Sequence, residues 1–213
     1  MNLRFLSYSC NSIVFTFDNI YEKYFPFTKS NVISRLIEGE KIKILDMGCG
    51  PGHTFNNIHN KKNFSYSCGL DIGVWNIIKA KKNGFYDDYI IGDARFIPFR
   101  KNFFDLVLCL EVIEHLPKEE GKKLIQNLKH FARDCILSTP SFFYQITESA
   151  RFGHQSYYTK TELELYGFKV RGIGVKFLFG NKSDLAKLCR ILLSPFTYFM
   201  PILSSCYIAR SIY

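Results

Sequence analysis

Ile44-Leu45-Asp46-Met47-Gly48-Cys49-Gly50-Pro51-Gly52 sets three glycines at alternate positions directly after an apolar run. Glycine permits a tight turn and lets a ligand approach backbone. Gly69-Leu70-Asp71-Ile72 and Ile91-Gly92-Asp93-Ala94 each close a further apolar run on a carboxylate. The Asp71 carboxylate, at the end of the second run, can accept hydrogen bonds from ribose hydroxyls, and Asp93 lies at the same edge. The competing reading is that each aspartate only caps the helix after it. Three in succession favour a crevice bounded by Asp46, Asp71 and Asp93.

A second group follows the run Phe104–Leu110. Glu111, Glu114 and His115 stand as E-x-x-E-H. On a helical turn, positions i, i+3 and i+4 share a face, so two carboxylates and an imidazole there can hold a divalent cation. His154, in Gly153-His154-Gln155-Ser156-Tyr157, is the further donor. With an ordinary pKa near about 6.5, His115 and His154 also suit removal of a proton from a hydroxyl nucleophile. Structural readings stand beside these: His115 bonding the loop after the strand, His154 capping the turn before Thr159, and Tyr144, Tyr157 and Tyr158 serving as packing residues.

Alternating elements are needed to position these groups. Strands are predicted over Lys43–Met47, Tyr66–Ile72, Tyr89–Ile91, Phe104–Leu110 and Cys135–Ser138. Between them fall helices over His53–Asn60, over Val74–Asn83 with Val74, Ile77 and Ile78 on one face, and over Lys118–Arg133 after Pro117 with Leu124, Ile125, Leu128 and Phe131 on one face. Earlier, helical turns are expected over Asn19–Phe25, and Thr28 or Ser30 caps a helix through Ile37. Later, Thr159 and Glu162 have capping-box spacing for a helix ending at Gly167. A sixth strand follows over Phe168–Phe179, then a helix over Ser183–Leu193 with Leu185, Leu188 and Leu192 in register, and a last strand over Cys206–Ile212. The order implies an α/β fold, a Rossmann-like doubly wound sheet of about seven strands, mostly parallel with an antiparallel last strand. One domain is expected across 1–213: an N-terminal helical cover (1–40), a cofactor-binding core (41–140), and a substrate-side loop with C-terminal strands (141–213).

Composition narrows the class. Hydrophobic residues are 47% and charged residues 22% of 213, which argues against wholesale disorder. The net charge of +9 suits an anionic partner such as nucleic acid, an acidic membrane face or a phosphorylated substrate. The lysines are scattered in pairs, however, which favours a solvated surface. Seven cysteines without a C-x-x-C pair read as buried reduced thiols of a cytoplasmic protein. No signal peptide is evident. The apolar stretch Ile191–Ile208 is broken by Pro195 and Pro201, so it reads as helix, loop and strand; weak contact with a membrane surface is the alternative to that reading.

Taken in order, LDMGCGPG, GLDI, GDARFIPF and NFFDLVLCLEVIEHL resemble the motifs of class I S-adenosylmethionine-dependent methyltransferases. The resemblance runs over residues 41–140 and is nearest the small-molecule group that includes the ubiquinone and menaquinone methyltransferases. It implies S-adenosylmethionine as cofactor. Asp46, Gly48 and Gly50 would line the methionine portion, and Asp71 would hold the ribose with Ile72 following. Asp93, Ala94 and Phe96 would flank the adenine, and Leu110 and Glu111 would lie near the sulfonium. E-x-x-E-H resembles metal sites of ubiquinone-pathway O-methyltransferases and small-RNA 2′-O-methyltransferases. The same string is frequent in the superfamily without metal. The expectation is therefore a metal-free site, with Glu111, Glu114, His115 and His154 as the alternative ligand set. No Asn-Pro-Pro-Tyr string follows the fourth strand, which argues against adenine or glutamine amides as acceptors. The resemblance points to a hydroxyl on a small or lipid-linked molecule. RNA methylation and a non-catalytic nucleotide-metabolite module are the other readings.

Overall fold

The computed structural model describes residues 25–59, 62–142, 153–178 and 183–212. Most of Asn19–Phe25, together with Tyr144, lies outside them. A seven-stranded sheet runs in the order β3-β2-β1-β4-β5-β7-β6. Its strands are β1 (Ile42–Met47), β2 (Phe64–Asp71), β3 (Asp88–Ile91), β4 (Phe104–Leu110), β5 (Ala132–Pro140), β6 (Phe168–Ile173) and β7 (Cys206–Ser211). The first five are parallel, while β7 is antiparallel to both β5 and β6. Strand order reverses between β1 and β4, so a crevice opens beyond their carboxyl ends.

The central strands are apolar on both faces because both are covered. On one side Leu45, Met47, Val107, Cys109 and Leu137 pack against Leu124, Ile125 and Leu128 of α4 (Lys118–Phe131), the expected face of that helix. On the other, Ile44, Leu106, Leu108 and Ile136 meet Val32 and Ile33 of α1 (Lys29–Leu36) and Phe55 and Ile58 of α2 (His53–His59). Thr28, not Ser30, caps α1: its hydroxyl accepts from the Asn31 amide at 3.3 Å. The capping box at Thr159 and Glu162 forms in full and opens α5 (Lys160–Leu165).

Three expectations are corrected. In α3 (Val74–Asn83) the buried residues are Ile77 and Ala80, whereas Val74 and Ile78 are exposed, since the helix covers only the open end of the sheet at β2 and β3. Strand β6 stops at Ile173, six residues short of Phe179; Gly174 turns left-handed (φ 67°) and leads into a 3-10 turn over Lys176–Leu178. Helix α6 (Asp184–Phe199) runs six residues past Leu193, straight through Pro195. Proline removes the amide that would bond the Ile191 carbonyl. Around that gap Ser194 Oγ donates to the Arg190 carbonyl at 2.5 Å, and Thr197 Oγ1 donates to the Ser194 carbonyl at 3.0 Å. Moreover, Leu185, Leu188 and Leu192 share a face as the periodicity predicts, but that face points outward.

Candidate active site

The glycine loop leaves β1 and returns into α2. Gly48 and Gly50 both have positive φ (72° and 54°), which favours residues without a Cβ. At Gly48 a Cβ would meet Val112 at 2.3 Å, whereas at Gly50 it would meet nothing within 4 Å, so backbone there faces open space. The Gly48 and Cys49 amides both donate to the Leu70 carbonyl, at 2.7 and 3.0 Å, tying the loop to the end of β2.

Asp71 completes that tie. Its carboxylate accepts from the Gly50 amide (2.8 Å), the Gly73 amide (2.7 Å) and Asn76 Nδ2 (3.1 Å). Gly73 is the residue before α3, so the capping reading and the ligand reading both apply to this one side chain. An ionised carboxylate offers about four acceptor sites, which leaves room for a further donor. Asp46 is buried beneath the loop and accepts from Tyr86 Oη at 2.6 Å. Burial pushes its carboxyl up to about 7, against the Tyr86 bond, with the Asp71 charge adding to the rise. Tyr86 stacks on Phe55 with ring centroids 4.4 Å apart. Nothing in the linear motifs points to this tyrosine.

At the next strand end, Asp93 accepts from the amide and guanidinium of Arg95, and those bonds hold its carboxyl below the usual range. Arg95 reaches on to Glu120 at 2.5 Å. Ile72 and Phe96 are exposed apolar side chains, Phe96 lining a groove with Arg95, Glu120 and Leu124, and Ala94 is half-buried. A nucleoside fits the first two of these strand ends: open loop backbone at Gly50 and acceptor capacity at Asp71.

Beyond β4 the chain does not continue as the helical turn that E-x-x-E-H suggests. Glu111 sits in the left-handed region (φ 56°), a conformation costing a non-glycine residue about 1 kcal/mol or more. A 3-10 turn over Ile113–His115 starts only afterwards. The kink separates the two glutamates. The Glu111 carboxylate goes to Ser138 Oγ (2.7 Å), Lys29 Nζ (3.0 Å) and Cys206 Sγ (3.4 Å). Against the effect of burial, Lys29 and Ser138 hold it below the ordinary glutamate range. Lys29, brought in by α1, could not be foreseen from sequence, because no local pattern links the N-terminal segment to the end of β4.

Glu114 is 1% exposed, and neither carboxylate oxygen has a hydrogen-bond partner. Burial, then the Glu111 charge, push its carboxyl up to about 8. His115 Nδ1 is likewise buried without a partner. The rings of His115 and His154 meet edge to face, centroids 5.1 Å apart. Glu114, His115 and His154 each offer a ligand atom, and these atoms lie within 4.8 Å of one another. Glu111 does not belong to this cluster. The juxtaposition is enforced by backbone: Gln155 and Ser156 amides donate to the Glu114 carbonyl (2.8 and 3.1 Å), Gln155 Nε2 to the His115 carbonyl (2.8 Å), and Ser156 Oγ to the Ile113 carbonyl (3.1 Å). Tyr158, fully buried against α4, is a packing residue.

Residues 45–134 match the family model described as a methyltransferase domain. An uncharacterized protein of Methanocaldococcus jannaschii is 35% identical over 91 residues, covering 42% of this chain and 37% of that protein. A sterol 24-C-methyltransferase of Gibberella zeae is 35% identical over 86 residues, 38% of this chain and 22% of its own length. The chain therefore spans well under half the length of these curated relatives. Among solved structures, a chain from the structure described as a complex between the Haloferax volcanii Trm112 methyltransferase activator and the putative methyltransferase aligns over 92% of this chain and 92% of its own, with a TM-score of 0.63 and 14% identity. Magnesium protoporphyrin IX methyltransferase from Synechocystis PCC 6803, solved with bound S-adenosylhomocysteine, aligns over 85% of this chain and 80% of its own at TM-score 0.56 and 16% identity. At those identities the likeness is one of fold.

Proposed function

We propose that this chain, which carries a methyltransferase domain on the fold of the S-adenosylmethionine-dependent enzymes, moves a methyl group from S-adenosylmethionine to a hydroxyl oxygen of a small or lipid-linked acceptor. The observation that supports it best is Asp71 clamping the Gly50 amide beside the point where strand order reverses, with two histidines gathered just past β4. Gly48, Gly50 and the buried Asp46 are assigned to the methionine portion, Asp71 and Ile72 to the ribose, Asp93, Ala94 and Phe96 to the adenine, and Leu110 and Glu111 to the methyl-bearing end. The cofactor, when bound, supplies a methyl group already activated on a sulfonium.

The chain's own share is positioning and proton removal. Glu111, fixed by Lys29 and Ser138, holds its charge at the end of β4. An imidazole nitrogen of His115 or His154 takes the acceptor's hydroxyl proton. The test is transfer of labelled methyl from S-adenosylmethionine to a panel of hydroxylated acceptors, with and without magnesium. Labelling that survives EDTA supports the histidine base; cofactor binding with no transfer to any acceptor, including RNA, supports a non-catalytic module.

A second reading rests on a specific observation: the unpartnered oxygens of buried Glu114 beside unpartnered His115 Nδ1. Together with His154 these donors suit a divalent ion held by nitrogen and oxygen. With Glu111 committed to Lys29, the set has three protein ligands. Activity abolished by EDTA and restored by magnesium or manganese would establish this reading over the metal-free one.

A further inference from the structure

Helix α6 turns its apolar stripe away from the protein. Leu185, Leu188, Leu192, Phe196 and Phe199 recur at helical spacing, and all are more than half exposed; Leu192 and Phe196 are 62% and 64% exposed. Met200, Ile202 and Leu203 continue the stripe through the 3-10 turn over Pro201–Leu203. The opposite face, with Ala186, Ser194 and Thr197, is the buried one. Small buried residues and large exposed ones invert the ordinary pattern of a surface helix, and contiguous apolar patches of this kind mark interaction sites.

The surroundings are basic. From Lys169 to the C-terminus the sequence has seven lysines and arginines and one acidic residue, Asp184. Arg171 lies over the ring of Tyr198 at 5.4 Å, Arg35 lies over Phe27, which itself packs on Tyr198, and Lys176 stands in the turn ahead of the helix. A second copy docked by the same face would bring these cations together. An anionic lipid surface complements them, and a convex ridge can sink about 5–10 Å into the headgroup and acyl boundary without a matching groove. The helix lies on such a surface instead of crossing it: its 16 residues span only about 24 Å, and no described helix is long and apolar enough to cross a membrane.

We infer that the outward face of α6 docks the protein on an anionic membrane surface. Three residues after Leu203, Cys206 places its Sγ 3.4 Å from Glu111, so the ridge ends at the sheet edge that carries the candidate site. Docking is read without methyl transfer, so its failure and that of the proposed activity are separable.

Co-sedimentation of the full chain with phosphatidylcholine vesicles, and with vesicles of equal parts phosphatidylcholine and phosphatidylglycerol, tests this. Binding is expected to the anionic vesicles, weakened by salt, and reduced at least about tenfold by the double variant Leu192→Glu/Phe196→Glu. Both positions are exposed, so its thermal transition should match the parent's. Should that variant not fold, Lys169→Glu/Lys176→Glu, exposed at both sites, should weaken anionic-vesicle binding in the same direction. Absence of binding, equal binding to the neutral vesicles, or a dimer that the apolar double variant converts to monomer would overturn the inference, the last assigning the face to a second copy.

Discussion

The two ends of the site are built differently. Between β1 and β3 the groups assigned to the cofactor come from short contiguous strings, each at a strand end, and the loop is tied to its neighbour by bonds at Gly48, Cys49, Gly50 and Asp71. Beyond β4 the groups assigned to chemistry come from distant parts of the chain. Lys29 arrives from α1, and His154 is pinned to the Ile113–His115 turn by the residues after it. The family model matches residues 45–134 and ends before His154. The first region is specified locally because a tight turn needs glycine and a strand end needs an acceptor. The second is specified by tertiary contact, which no local pattern in the sequence carries.

The heaviest test removes part of the second region. β7 lies between β5 and β6, so deleting residues 183–213 leaves β6 without its neighbour and uncovers the edge of β5. We expect loss of the cooperative thermal transition, followed by light scattering or calorimetry; a folded truncation that still binds cofactor would make the first region autonomous. Next, replacing the functional histidine, His115 or His154, by Ala should lower turnover by about 10²–10⁴-fold with cofactor affinity nearly unchanged. A matching loss of affinity would erase the division between the regions.

Asp71→Ala should act the other way, weakening cofactor binding by roughly 1–3 kcal/mol. Because the Gly50 and Gly73 amides also lose their acceptor, its melting temperature should fall as well. Unchanged affinity in a folded variant would reduce Asp71 to a cap. A further test concerns Asp46 and is read in stability, not in turnover or affinity. Its carboxyl is raised to about 7 in the fold, so the stability it contributes is full below the unfolded value of about 4 and is lost as pH rises to about 7. Asp46→Asn, which keeps an acceptor for Tyr86, should lessen the fall in melting temperature between those pH values, leaving the part due to the raised Glu114 carboxyl; an unaltered profile would place the titration elsewhere.

Much of this architecture was readable from sequence, and for physical reasons. Val74–Asn83, Phe104–Leu110 and the Thr159 capping box carry their own boundary signals, so expectation and structure coincide there. Proline usually ends a helix, which places the expected end of α6 at Leu193; the helix runs on to Phe199 where Ser194 and Thr197 sit beside the gap. Its leucines share the face that their spacing predicts, and the spacing leaves the outward direction open, since periodicity defines a face without saying which way it points. Glu111 and Glu114 were expected on one turn, and only the left-handed backbone at Glu111 parts them. Lys29 and Tyr86 had no sequence signal at all, because their roles come from contacts across 82 and 40 positions of chain.

Everything proposed for the site requires that the crevice over β1, β2 and β3 take S-adenosylmethionine. Isothermal titration of the full chain with S-adenosylhomocysteine, with NAD as the comparison ligand, tests it most directly. One site of about 1–100 μM is expected for the former and none for NAD. No binding of S-adenosylhomocysteine, with tight binding of NAD, would contradict it.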